Sequence, residues 1–217
     1  MQMKPIFITA TNTNVGKTYT TLRLIDEFSK LGLKPVVYKP IETGVEKSPH
    51  DASMLLAKAQ GVNANLSSLT PYDITSYTFT LPASPYVAKG KKEIEISKLK
   101  SDFEKLSLLG DIVLIEGAGG LMVPVTKKLK MIDLISFFDA DTLLVTSSRL
   151  GSINDTLLSM EALQNRQLSF NWCVNIFRDI ESFDSVTKPY YDEEFPSWWS
   201  VENGLSAFAK EYIKKQI

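Results

Sequence analysis

The sequence predicts an α/β fold, a parallel sheet with helices on both faces, in one domain spanning residues 1–217. Three observations lead there. Short apolar runs rich in β-formers alternate with helix-length amphipathic segments along the chain. The first run, Ile6-Phe7-Ile8, passes through a tight loop into Gly16-Lys17-Thr18 and a helix. Lys17, Lys39, Glu116 and Asn154 all lie after predicted strand ends, and parallel sheets of this kind bind ligands beyond the carboxyl ends of their strands.

Taken in order, the strand at 6–8 is followed by a helix from Gly16 or Lys17 to about Leu31. Gly32 stands as its C-terminal cap, and Leu22, Ile25, Phe28 and Leu24 or Leu31 form its buried face. Residues 35–38 read as a second strand that delivers Lys39-Pro40 at its end. Residues 41–50 read as a polar loop, and 51–60 as a helix capped by Asp51 or the residue before it. The stretch 61–92 carries Pro71, Pro82 and Pro85 together with Tyr72, Tyr77, Phe79 and Tyr86. A mere linker would lack those aromatics, so an ordered loop with a short helix is expected. An amphipathic helix at 93–109 precedes a strongly apolar strand at 111–115, Glu116, and Gly117-Ala118-Gly119-Gly120. A helix at 131–138, a strand at 142–146, a helix running to 163, a strand at 170–176 and a final helix at 202–215 complete the pattern.

The chain has 217 residues, 44% hydrophobic and 23% charged, which suffices for one α/β domain with a sizeable core. A net charge of −1 gives no general case for nucleic acid or an anionic membrane surface. No apolar run approaches membrane-spanning length, and the sequence enters its first strand almost at once, so a cytoplasmic protein is expected. Cys173, the lone cysteine, sits in an apolar run and reads as a core thiol. With His50 the single histidine, a structural zinc site and a Ser-His-Asp triad are disfavoured.

Strand, loop, Gly-Lys-Thr and helix together form a phosphate-binding loop of the P-loop NTPase type. A helix N-terminus offers free N–H groups and the positive end of a dipole, Lys17 adds a full charge, and the Thr18 hydroxyl suits magnesium. Thr11 stands where the usual pattern has its first glycine. Glu116, ending the most hydrophobic strand, reads as a magnesium-side acid, because a hard cation needs oxygen ligands; the plain alternative is a surface glutamate. Asp51 reads equally as a helix cap or a second magnesium carboxylate. Lys39 is either a solvated strand terminus or a charge placed to neutralise a transferring phosphoryl group.

The ordered set of motifs resembles the dethiobiotin synthetase family over most of the chain to about Asn175. It comprises Thr11-Asn12-Thr13-Asn14-Val15-Gly16-Lys17-Thr18, Tyr38-Lys39-Pro40-Ile41-Glu42-Thr43-Gly44, and His50-Asp51-Ala52. Tyr77-Thr78-Phe79, Pro82-Ala83-Ser84-Pro85, Glu116-Gly117-Ala118-Gly119-Gly120, and Arg149-Leu150-Gly151-Ser152-Ile153-Asn154 follow. The resemblance implies an ATP- and Mg2+-dependent cyclo-ligase that closes the ureido ring of dethiobiotin from 7,8-diaminononanoate and CO2. It implies that Lys17 and Lys39 are catalytic, that Asn14, Val15, Gly16, Lys17, Thr18 and Asn175 bind ATP, and that Thr18, Asp51 and Glu116 serve the metal. Substrate would meet Thr13, Lys39, Thr43, Gly119 and the turn Gly151, Ser152, Ile153 and Asn154, which the family supplies from the partner subunit of a homodimer.

Ala10 and Asn12 replace a glycine and an aspartate of the family loop, and residues 192–200 do not match its base-recognition segment. Weak discrimination among ATP, GTP and CTP is the resulting expectation. Two other readings compete. An amide ligase of amidotransferase type would need a glutaminase module for which the chain has no room. A partition-type ATPase switch would carry a further lysine early in the loop, where Ala10, Thr11 and Asn12 stand.

Overall fold

The computed structural model describes residues 3–177 and 179–216. Its centre is a parallel five-stranded sheet in the order β2-β5-β1-β6-β7. The strands are β1 (Ile6–Ala10), β2 (Pro35–Tyr38), β5 (Ile112–Glu116), β6 (Asp141–Ser147) and β7 (Phe170–Asn175). Every residue of β1, β2 and β5 is buried, which is the signature of strands covered on both faces. From β1 the chain first builds toward β2 and β5, then returns to the other side for β6 and β7. The switch point lies at β1, which carries the phosphate loop at its carboxyl end.

Helices α1 (Lys17–Lys30), α2 (His50–Gln60) and α9 (Val201–Gln216) pack side by side, while α4 (Ile96–Ser107) and α5 (Asp133–Phe137) meet through Phe103 and Phe138 over Tyr38. On α1 the positions Leu24, Ile25 and Phe28 are fully buried, as their helical spacing predicts, whereas Leu22 and Leu31 pack at the margin. Gly32, at φ 85°, ends α1 in the left-handed conformation that favours glycine. Helix α6 (Ser152–Gln164) follows β6 as expected.

Three expectations are corrected. Residues 41–43 are not loop: Ile41–Thr43 forms β3, which pairs in parallel with β4 (Tyr77–Phe79). The middle of the chain therefore holds a two-stranded sheet as well as the short helix α3 (Pro85–Ala88). A strand of three residues shows no alternation, so nothing in the pattern marked it. Helix α2 begins at His50 with Pro49 at its cap, so Asp51 lies inside the first turn and caps nothing. The stretch after β7, given no elements by periodicity, carries α7 (Ile180–Ser182), a π-helical turn (Phe183–Thr187) and α8 (Lys188–Glu194). These elements close a satellite core of Val174, Phe183 and Tyr191, against which Trp198 packs. Trp199 stacks on Phe208, so both tryptophans are packing residues.

Candidate active site

The loop between β1 and α1 turns through two left-handed residues, Asn14 at φ 57° and Gly16 at φ 108°. Glycine is required at 16 for a second reason: a Cβ there would overlap Asn175 Nδ2. Thr11 has no positive φ and its N–H bonds Val145 O at 3.1 Å, so the glycine missing from the usual pattern is not needed for the turn. Asn12 is used locally, its Oδ1 accepting from Thr13 N–H at 2.8 Å.

Two lysines meet beyond the sheet. Lys39 Nζ, buried, donates to Glu116 Oε1 at 2.7 Å, to Asp51 Oδ2 at 3.0 Å and to Gly117 O at 3.3 Å. Burial works to lower its pKa, but the Glu116 and Asp51 carboxylates outweigh that and hold it above the ordinary lysine value. Asp51 is affected conversely: burial would raise its pKa, and the Lys39 contact brings it below the usual carboxylate value. Lys17 is also buried, yet its Nζ reaches Asn12 O at a long 3.4 Å. Burial, reinforced by the Lys39 cation, lowers its pKa from 10.5 to about 8. Glu116, fully buried, accepts additionally from Thr18 Oγ1 at 2.9 Å and Thr21 Oγ1 at 2.8 Å. Thr18, Asp51 and Glu116 thus present an all-oxygen donor set beside the loop, which fits a hard divalent cation.

A cleft of about 810 Å³ opens over Lys17, Thr18, Lys39 and Asp51, whereas Glu116 is fully buried and does not line it. Thr13, Asn14, Gly16, Lys17, Thr18, Lys39, Thr43, Asp51, Gly119 and Asn175 line it, so most of the residues singled out in the sequence converge on one cavity. Asn175 Nδ2 donates to Val15 O at 2.9 Å, which orients the amide and leaves the buried Oδ1 without a partner among the described residues. An acceptor held in that way fits the exocyclic amine of a nucleobase.

A family profile described as an AAA domain matches residues 4–174. The ATP-dependent dethiobiotin synthetase BioD of Sulfurovum sp. (strain NBC37-1) is 53% identical over 208 residues, covering 96% of this chain and 99% of the relative. That of Wolinella succinogenes is 42% identical over 215 residues, covering 97% and 99%. The chain belongs to the dethiobiotin synthetase family. Solved structures of lower identity share the architecture. A putative plasmid partition protein of Borrelia burgdorferi bound to AMPPNP matches with TM-score 0.56 and 11% identity, over 100% of both chains. The MinC:MinD cell division complex of Aquifex aeolicus matches with TM-score 0.51 and 18% identity, over 96% of this chain and 86% of that one. At these identities the likeness shows a common P-loop fold alone.

Not every residue carried over from the dethiobiotin synthetase pattern reaches the cleft. Val15 is buried beneath the loop and contributes its carbonyl to Asn175. Gly151, Ser152, Ile153 and Asn154 form the start of α6, with Gly151 at φ 90°, and none of them lines the cleft. Sequence reasoning missed Thr21, one turn beyond Lys17, whose hydroxyl secures Glu116. It missed Glu42, Tyr19, Ile176, Phe177 and Glu202, all on the cleft wall. The i, i+3 spacing of Thr18 and Thr21 on a helix face was the one available signal. The segment 192–200 does not itself line the cleft, but it leads into α9 and so brings Glu202 to the wall that holds Asn175.

Proposed function

We propose that the 217 residues act as one domain, an ATP- and magnesium-dependent ligase of biotin synthesis that joins 7,8-diaminononanoate and CO2 into dethiobiotin. The observation that carries this reading is the second lysine: Lys39 is held by Asp51 and Glu116 beside a phosphate loop that already has Lys17. A nucleotide-binding site alone has no need of it; a site that guides a phosphoryl group to a second anion does. Family membership supports the same choice.

In this reading one substrate amine adds to CO2 and loses a proton, giving a carbamate. The carbamate oxygen takes the γ-phosphoryl group of ATP with release of ADP. The second amine then attacks the carbamoyl carbon, and inorganic phosphate leaves as the ring closes. The N–H groups of residues 14–18 and the Lys17 ammonium hold the phosphates. Lys39 Nζ neutralises charge between carbamate and phosphoryl oxygens, while Thr13, Thr43 and Gly119 position the diamine. Thr18, Asp51 and Glu116 would hold magnesium, which supplies charge neutralisation to the phosphates. No protein nucleophile is required, and proximity with electrostatics provides the acceleration.

Asn175 Oδ1 accepts from the base, and since adenine, guanine and cytosine all carry an exocyclic amine, weak discrimination among ATP, GTP and CTP remains the proposal. The N-terminus of α6 receives the distal carboxylate of the substrate bound in a partner subunit. Exposed Leu158 and Met122, which line one groove with Asp155 of α6, support that placement. The enzyme is thus a homodimer, placed in the cytoplasm. No helix among the described residues is long and apolar enough to cross a membrane.

The test is phosphate release from purified protein with Mg-ATP and bicarbonate, with and without the diamine, with the organic product followed by mass. Diamine-dependent release matched by dethiobiotin supports the reading. Slow release indifferent to the diamine sinks it and favours a partition-type switch. Equal rates with saturating ATP, GTP and CTP support weak base selectivity, and strict ATP dependence removes that part alone.

A further inference from the structure

The reaction above leaves one buried carboxylate on the cleft wall without a role. Glu42 lies in β3, its backbone set in register opposite Thr78 of β4. Its two oxygens are fully engaged: Oε1 accepts from Asp51 N–H and Oε2 from Ala52 N–H, each at 2.9 Å. Those are orphan donors of the first turn of α2, which its own cap position cannot satisfy because Pro49 has no side-chain acceptor. A carboxylate is the fitting substitute, since it reaches two N–H groups at once and meets the positive end of the helix dipole.

The consequence reaches the reacting groups in two bonds. Glu42 holds the backbone of Asp51, and Asp51 Oδ2 accepts from Lys39 Nζ at 3.0 Å. Lys39 itself leaves the end of β2 three residues before Glu42, so one short segment supplies both the lysine and the anchor of its carboxylate partner. We infer that Glu42 is a positioning residue for phosphoryl transfer, capping α2 from the neighbouring strand so that Asp51, and through it Lys39, keep a fixed place beside the phosphate loop. The inference rests on the proposed reaction, whose Asp51 and Lys39 it serves.

A plain structural cap would stabilise the helix and do nothing more, so the test must separate the two. Mg2+ with AMPPNP is titrated calorimetrically into the full-length protein and into Glu42→Ala, Glu42→Gln, Asp51→Ala and the double variant Glu42→Ala/Asp51→Ala. Values of kcat and KM are measured in parallel. Glu42→Ala should weaken Mg-AMPPNP binding about 10-fold or more, the scale at which outer residues act on a metal site. It should lower kcat more than it alters KM for the diamine. Glu42→Gln, which keeps one acceptor but turns an N–H toward a second N–H, should fall between Glu42→Ala and the unmodified protein. It also keeps the test alive if Glu42→Ala does not fold. In the Asp51→Ala background the loss of Glu42 should change binding less than about twofold, since no carboxylate remains to be placed. A Glu42→Ala or Glu42→Gln protein that melts lower yet binds and turns over normally would overturn the inference, as would effects that multiply in the double variant. Should the unmodified protein show no diamine-dependent phosphate release, the proposed reaction fails while the binding cycle still decides the role of Glu42.

Discussion

Replacing Lys17 with methionine should make the ligand-free protein more stable while abolishing nucleotide binding. Lys17 is only 7% exposed, its nearest oxygen partner is a carbonyl at 3.4 Å, and the carboxylates that would suit it are already bound to Lys39. Burial and the Lys39 charge depress its pKa from 10.5 to about 8. That difference, 2.5 pH units at 1.36 kcal/mol each, corresponds to roughly 3 kcal/mol against the folded state at neutral pH. Methionine keeps the apolar stem and removes the charge, so a gain of about 1–3 kcal/mol is expected at pH 7, at most the value of the charge it removes.

The pH dependence supplies the refutation. Below about pH 8 both folded and unfolded chains carry the Lys17 proton, and the full penalty applies. Between about 8 and 10.5 the folded protein has released it and the unfolded chain has not, so stability attributable to this group rises with pH. The advantage of Lys17→Met should therefore shrink from pH 7 to pH 10. Urea denaturation of both proteins at pH 7, 8.5 and 10, with ATP titration at each pH, reads this directly. A variant less stable than the parent at pH 7, or an advantage that stays constant with pH, would refute the reasoning.

Lys39→Met should have the opposite effect, because it strips a fully buried carboxylate of its ion-pair partner. A loss of about 3–5 kcal/mol in urea denaturation is expected, with kcat reduced by at least ~10²-fold; unchanged stability would show that the pair is not the strut described. Thr21→Val preserves volume but removes a hydroxyl from Glu116 Oε2, leaving the buried carboxylate one donor short. It should cost about 1–3 kcal/mol by the same assay, with Thr21→Ser largely restoring stability; equal losses in both variants would point to packing instead. Burial pushes the Cys173 thiol well above the usual range, so iodoacetamide at pH 8 should leave the folded protein unmodified and alkylate it fully in urea, as mass measurement of the intact chain would show.

The parts of this molecule that the sequence disclosed are those whose signal is local. The apolar run of β1, the Gly-Lys-Thr turn and the amphipathic stripe of α1 lie within 25 residues, and each constrains the next. Lys39 and Glu116 were legible because Lys39 directly follows an apolar strand and Glu116 closes one after four apolar residues, so the end of each strand was unambiguous. What stayed hidden depends on pairs distant in sequence or on elements too short to show a period. Strand β3 has three residues, and the cap of α2 comes from position 42 rather than from 49, 50 or 51. Asp51 illustrates the ambiguity: an aspartate near a helix start is usually a cap, but α2 begins one residue earlier and Glu42 takes the N–H groups of its first turn, so the Asp51 side chain meets Lys39 instead. Residues 180–194 form short turns around Phe183 and Tyr191, where aromatic packing rather than periodicity sets the backbone.

The two lysines of the cleft are chemically alike in sequence and electrostatically opposite in structure, and that difference divides their tasks. Lys39 is fixed in place by two carboxylates and held above its ordinary pKa, so it stays an ammonium ion across the physiological range. Its site is organised in the ligand-free protein, which in the proposed reaction removes reorganisation from the moment of phosphoryl transfer. Lys17 is desolvated and under-compensated, so the free energy held against its charge is released when phosphate oxygens arrive. A nucleotide therefore gains more from Lys17 than the same contact would give in water, and the stability forgone in the ligand-free fold reappears as affinity. On this argument substitutions at the two positions differ in kind as well as in size. Loss of Lys17 trades binding for stability, whereas loss of Lys39 forfeits both.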